Sequence, residues 1–76
     1  MNNWIVGNPE ILGGKPCVRG TRISVEHILE LLASGGSREA ILEAYPQLTE
    51  EGLTAALQYA AEAMRHEVVL DVAIPA

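Results

Sequence analysis

The chain has 76 residues, a mass of 8.2 kDa and a formal net charge of −5, so it has room for a single domain, residues 1–76, with a thin core. Its one cysteine excludes an internal disulfide and a four-cysteine metal site, and no apolar run is long enough for a membrane span. The first residues do not resemble a secretory signal, so we expect a cytoplasmic protein.

Residues 1–24 are predicted to form a small β unit with several turns. The segment Trp4-Ile5-Val6 is typical of a short strand, and Gly13-Gly14 indicates a turn. Two more short extended segments are predicted on either side of a turn at residues 19–21.

Three helices are predicted over residues 25–65. The first follows the N-cap Ser24, and the apolar residues Val25, Ile28, Leu29 and Leu32 recur at the spacing of one helical face. Ser37 is expected to cap a second helix over about 37–45, which Pro46 ends. Thr49 is expected to cap the third and longest helix, over about 49–65.

The third helix has an apolar side and one unfavourable residue. Its apolar positions include Leu53, Ala56, Leu57, Ala60 and Met64. Gly52 lies in the first turn, where it costs up to about 1 kcal/mol relative to alanine.

Residues 67–74 are predicted to form a C-terminal strand. Apolar side chains alternate along it and share one face: Val68, Leu70, Val72 and Ile74. An unpaired strand of this kind would promote aggregation. We therefore expect a homodimer or a larger homo-oligomer, with these four residues and Trp4 at the interface.

The elements together predict a mainly α fold with a small β unit: short N-terminal strands, a tri-helical homeodomain-like (helix-turn-helix) core, and the C-terminal strand. The stretch "ILGGKPCVRGTRISVEHILELLASGGSREAILEAYPQLT", followed by "LTAALQYAAE", closely resembles the bacterial and archaeal domain-of-unknown-function family four hundred and thirty-three. The likeness spans roughly residues 5–62. One departure is Gly52, which stands where the family usually has an acidic residue.

The resemblance implies a homeodomain-like fold and an antitoxin-like role. Members of the family often resemble the antitoxins of toxin–antitoxin pairs, which act beside PIN-like ribonuclease toxins. The resemblance therefore implies a PIN-like ribonuclease toxin as a partner. DNA is expected as a further partner on the ground of the basic residues described next.

The basic residues are concentrated near the N-terminus. Residues 1–22 contain three basic residues, Lys15, Arg19 and Arg22, and one carboxylate. The rest of the chain contains two basic residues and nine carboxylates. These three residues are the candidate site for contact with nucleic acid or a partner, because arginines beside glycine-rich turns suit phosphates and carboxylates. The alternative is that the arginines form internal ion pairs with Glu26 or Glu30.

The sequence offers no set of residues for catalysis, a metal or a cofactor. It has no phosphate-binding loop, no metal-ligand cluster and no Ser/His/Asp set. Cys17 is interpreted as a buried structural thiol, and His27 and His66 as surface residues.

Two functions therefore stay open. The first is a non-enzymatic antitoxin-like protein that binds a PIN-like ribonuclease. Acidic helices suit this function, because a ribonuclease that binds RNA presents a basic surface. The second is a stand-alone DNA-binding regulator that acts through the basic N-terminal lobe.

Overall fold

The computed structural model describes residues 3–65, a small, mainly helical domain with three helices and a two-stranded antiparallel hairpin. The elements are β1 (Ile5–Val6), β2 (Cys17–Val18), α1 (Val25–Ala33), α2 (Arg38–Ala44) and α3 (Glu50–Arg65). None of these helices has the length and apolar character to cross a bilayer. The C-terminal strand predicted over 67–74 lies outside the described residues.

The hairpin is short because its connection is a series of turns. Ile5 lies opposite Val18 in the antiparallel register, and Ser24 adds one isolated bridge to Cys17. The connection contains a single 3₁₀ turn at Leu12–Gly14, in which all three residues have positive φ. Glycine adopts this conformation freely, which agrees with the turn predicted at this position.

The three predicted N-caps are confirmed. Each hydroxyl accepts a hydrogen bond from the backbone N–H three residues later: Ser24 from His27 at 2.9 Å, Ser37 from Ala40 at 3.1 Å and Thr49 from Gly52 at 3.0 Å. These bonds satisfy amides that have no partner inside the helix. The helix starts therefore follow from local sequence.

Helix α3 lies at the centre of the packing and contacts α1, β1 and β2. The core includes Ile28, Leu53 and Val18, which are 0%, 0% and 1% exposed. Leu48, before the Thr49 cap, is also buried in this core. Ile23 before Ser24 and Leu48 before Thr49 are both buried, and they fix the direction in which α1 and α3 enter the core.

Gly52 has a packing role that the sequence analysis did not foresee. A Cβ at this position would lie 3.0 Å from Cγ1 of Val18, 3.3 Å from Oγ1 of Thr49 and 3.5 Å from Cε3 of Trp4. The absence of a side chain lets α3 approach the hairpin closely. What reads in the sequence as a weak position in the helix is therefore a close contact between two elements.

Leu29 and Met64 differ from the sequence expectation. Both belong to the apolar positions of their helices, yet Leu29 is 41% exposed and Met64 is 65% exposed. Helix α3 has 16 residues and α1 has 9, which gives lengths of about 24 Å and about 13 Å. Within residues 3–65, the elements beside α3 are too short to cover its whole apolar stripe.

Candidate functional site

Lys15 joins the hairpin loop to helix α1. Its Nζ lies 2.9 Å from Oε1 of Glu26, and both side chains are more than half exposed. The hydrogen bond and the charge of Lys15 lower the pKa of Glu26, and the same contact with Glu26 raises the pKa of Lys15. The predicted internal ion pair with Glu26 is present, but Lys15 makes it rather than Arg19 or Arg22.

Arg19 and Arg22 lie on either side of a rigid turn. Gly20, between them, has a φ of +82°. The Thr21 hydroxyl donates to the Val18 carbonyl at 2.7 Å and accepts from the Ile23 N–H at 3.0 Å. The turn is thus fixed by buried hydrogen bonds while the two arginines remain exposed.

Neither arginine has a carboxylate within 4.0 Å among residues 3–65. The guanidinium carbon of Arg19 lies 5.8 Å from the centroid of the Trp4 ring, within the range of a cation–π contact. Trp4 itself is partly buried against the core. The guanidinium of Arg19 therefore keeps its hydrogen-bond donors available at the surface.

Arg22 lines an open, mixed pocket of about 620 Å³ beside the hairpin loop. Asn8 and Gln47 contribute polar side chains to this pocket, and Val6 and Ile11 contribute apolar ones. Arginine and amide donors together suit an anion such as a phosphate or a carboxylate. The structure therefore places Arg22 near neutral polar groups, whereas Lys15 is already paired.

The outer faces of the helices are acidic. All seven glutamates of residues 25–65 are exposed: Glu26, Glu30, Glu39, Glu43, Glu50, Glu51 and Glu62. Three of them lie within 4.0 Å of a basic side chain, namely Glu26, Glu30 and Glu50. Within the described part of the chain, the other four have no such neighbour.

An apolar groove, not anticipated from the sequence, lies between α1 and the last two turns of α3. Its volume is about 450 Å³. Its walls are formed mainly by small and apolar side chains, with two glutamates at one side: Pro16, Val25, Glu26, Leu29, Glu30, Ala33, Tyr59, Ala60, Ala63 and Met64. Excess apolar length in α3 relative to α1 is the sequence signal that would have indicated it. We call this feature the α1–α3 groove.

The remaining chemically active residues have structural partners. Cys17 is 2% exposed, and its thiol donates to the Lys15 carbonyl at 3.2 Å, which agrees with the predicted buried thiol. Nε2 of His27 lies 2.9 Å from the Tyr45 hydroxyl and joins α1 to the end of α2. Over residues 3–65, no three or more His, Cys, Asp or Glu side chains are grouped to hold a metal ion.

Comparison with known proteins identifies relatives whose function is not established. A family model described as a protein of unknown function, DUF433, matches residues 5–60. The uncharacterized protein y4eO of Sinorhizobium fredii is 45% identical over 56 residues, which cover 74% of this chain and 25% of y4eO. The chain thus spans about a quarter of the length of this curated relative.

A solved structure also matches. The crystal structure of a DUF433 member protein from Anabaena variabilis superimposes with a TM-score of 0.78 and 33% sequence identity. The match covers 84% of this chain and 63% of the Anabaena chain. Sequence and structure therefore point to the same family.

Proposed function

The chain belongs to the DUF433 family of proteins of unknown function, as its glycine and arginine motifs predicted, and on this premise we propose that it is a non-enzymatic, antitoxin-like protein. Its partner in this proposal is a PIN-like ribonuclease toxin. The observation that carries the proposal is the exposed acidic surface of the helices, with four glutamates that have no basic neighbour within residues 3–65.

Helix α2 supplies the most informative part of this surface. Glu39 and Glu43 are four residues apart on one face, and both are exposed. Like charges at this spacing destabilise a helix by about 0.2–0.5 kcal/mol. A basic partner surface would turn this repulsion into attraction, and charge complementarity of this kind speeds association and selects the partner.

The charge at the start of α3 supports contact with protein rather than insertion into DNA. The pair α2–α3 has the proportions of the helix-turn-helix of a homeodomain-like core, in which the start of the second helix reads bases. Here Glu50 and Glu51 are exposed at that start. Their charges would face the phosphates of a DNA groove and repel them.

The test is binding of the purified full chain to the product of the adjoining gene, which this proposal expects to be a PIN-like ribonuclease, measured by calorimetry at two salt concentrations. The variant Glu39→Gln/Glu43→Gln is expected to weaken binding by about tenfold at low salt and by less at high salt. Glu10→Gln, an exposed carboxylate on the hairpin loop, is the matched control and should leave affinity unchanged. Equal affinities for all three proteins, or no binding, would overturn the proposal.

A second candidate function is DNA binding through the basic lobe, favoured by the exposed guanidiniums of Arg19 and Arg22. If both contact phosphates, the affinity for duplex DNA should fall with salt at a log–log slope of about −0.9 per phosphate. The variant Arg19→Ala/Arg22→Ala should then flatten that slope by roughly two. Loss of thermal stability in this variant, with no DNA binding by the wild type, would support a purely structural role.

The proposal also includes self-association and the absence of catalysis. We propose a homodimer or larger homo-oligomer in which Trp4 and the apolar residues of 67–74 contribute to the interface. Any nuclease activity in a preparation is expected to survive Cys17→Ala, His27→Ala and His66→Ala. Loss of activity in one of these variants, with the fold intact, would contradict the non-enzymatic role.

A further inference from the structure

We infer that the α1–α3 groove is the docking site for residues 68–74 of a second copy of this chain. The inference rests on the self-association proposed above and assigns it a receptor surface on the helices. We call residues 68–74 the tail. The two tails of a dimer do not pair with each other in this arrangement; each copy places its tail in the groove of the other.

The first argument is the character of the groove. Leu29 of α1 and Met64 of α3 are among the most exposed large apolar residues of the described chain, and both line the groove. Ala33, Ala60 and Ala63 leave space between them, and the volume of about 450 Å³ lies in the range of sites that bury a bound group. The groove can therefore receive several apolar side chains.

The second argument is the position of the apolar segment in the chain. Met64 lines the groove, and Arg65 is the last residue of α3 that the structure describes. Only His66 and Glu67 separate Arg65 from Val68. Neither is a residue typical of tight turns, so this linker does not favour a reversal of the chain onto its own helix. A second copy can reach the groove without such a reversal, and reciprocal exchange of one element is a low-cost route to a symmetric dimer.

The third argument is charge. The charged side chains at the groove are Glu26, which Lys15 neutralises, and Glu30. The face of the segment that carries Val68, Leu70, Val72 and Ile74 has no charge, whereas Asp71 belongs to the opposite face. A shift of the segment by one residue would turn the face that carries Asp71 towards the apolar groove, where an unpaired carboxylate is costly to bury, so a single register is favoured.

The test is disulfide cross-linking between two full-length variants. Leu29→Cys and Leu70→Cys are purified separately, mixed at micromolar concentration, oxidised and resolved on a non-reducing gel. Cys17 stays in place, because it is 2% exposed. The mixture is expected to give a covalent dimer that neither variant gives alone.

Two control variants are matched to this pair. In the first, Leu12→Cys replaces Leu29→Cys, since Leu12 is 48% exposed and lies outside the groove. Val69→Cys replaces Leu70→Cys as the second, and both controls should cross-link weakly.

Sedimentation equilibrium gives an independent readout. Met64→Ser should weaken self-association by at least about tenfold, because a large apolar side chain is lost from each of the two grooves of the dimer. Leu12→Ser should leave it unchanged.

Each other outcome overturns the inference in a recognisable way. A cross-link formed only within one chain of the double variant Leu29→Cys/Leu70→Cys would place the tail in its own groove. A stable dimer that forms no cross-links would support the proposed self-association but would show that the groove is not its interface. A monomer at micromolar concentration in every sample would contradict both.

Discussion

The two halves of helix α3 have different surroundings. The first half supplies all of the helix's buried residues, namely Gly52, Leu53, Ala55 and Ala56, and it packs against the hairpin and α1. Residues 61–65 are all exposed, and Ala63 and Met64 line the α1–α3 groove. One continuous helix thus combines a segment that holds the fold together with a segment whose apolar side chains face outwards. The first segment determines stability, and the second is available for contact with another molecule.

The largest expected effect is that of truncating Leu53, which is completely buried in the first half. Leu53→Ala should lower the free energy of unfolding by about 3 kcal/mol, because burial is lost and a cavity forms. Met64→Ala is the matched truncation in the second half and should change stability by less than about 0.5 kcal/mol at concentrations where the chain is monomeric. Urea unfolding followed by circular dichroism measures both. Equal losses would show that the two halves contribute alike.

The next effect is that of adding a methyl group at Gly52. Gly52→Ala should lower stability by about 1 kcal/mol, since crowding against Val18 costs about 1–3 kcal/mol and the higher helix propensity of alanine returns about 1 kcal/mol. The double variant Val18→Ala/Gly52→Ala provides the control, because the new methyl group then occupies space vacated by Val18. The loss of stability in this double variant should be smaller than the sum of the losses in Val18→Ala and Gly52→Ala. Strict additivity would contradict the proposed contact.

A smaller effect is expected at the contact between α2 and the first half of α3. Nη2 of Arg38 donates to Oγ1 of Thr54 at 2.8 Å, at the surface. Thr54→Val keeps the shape of the side chain and removes the acceptor, so it should lower stability by about 0.5 kcal/mol. In the background of Arg38→Ala the same change should have almost no effect. If Thr54→Val lowers stability equally in the Arg38→Ala background, its effect comes from helix propensity and not from the hydrogen bond.

The sequence predicts the local features of this fold well and its tertiary features less well. The three caps and the approximate limits of the helices follow from residues close together in the chain, such as Ser24 and the apolar positions after it. The role of Gly52 depends on Val18 and Trp4, which are more than 30 residues away in the sequence. No local pattern contains that information.

The candidate site shows the same division. The sequence concentrates Lys15, Arg19 and Arg22 in one lobe, but which of them pairs with a carboxylate depends on how the hairpin packs on α1. Periodicity likewise places Leu29 and Met64 on apolar faces without showing whether a neighbouring element is long enough to cover them. The groove follows from the relative lengths and positions of two helices, which are tertiary properties.

The Lys15–Glu26 pair lies across the α1–α3 groove from the second half of α3. Its removal should have the smallest effect on stability, because both side chains are exposed and an exposed ion pair stabilises little. Lys15→Gln should lower Tm slightly at pH 7. Because the pKa of Glu26 is lowered in the folded protein, the pair stabilises it above the pKa of an unfolded glutamate, about 4.3. The pKa of Lys15 is raised, so at high pH the contribution persists until the lysine loses its proton.

The difference in Tm between the wild type and Lys15→Gln is therefore expected to be constant around neutral pH and to shrink as the pH falls below about 4.3, through the lowered pKa of Glu26. Scanning calorimetry of the two proteins from pH 7 to pH 3 measures this difference directly, and contributions shared by both chains cancel. Glu26→Gln is the control: it lacks the carboxylate that bonds Lys15 and leaves only the weaker charge interaction with Glu30, so adding Lys15→Gln to it should produce a difference that changes much less over this range. A wild-type difference that grows towards low pH would mean that Lys15 stabilises the fold through another group.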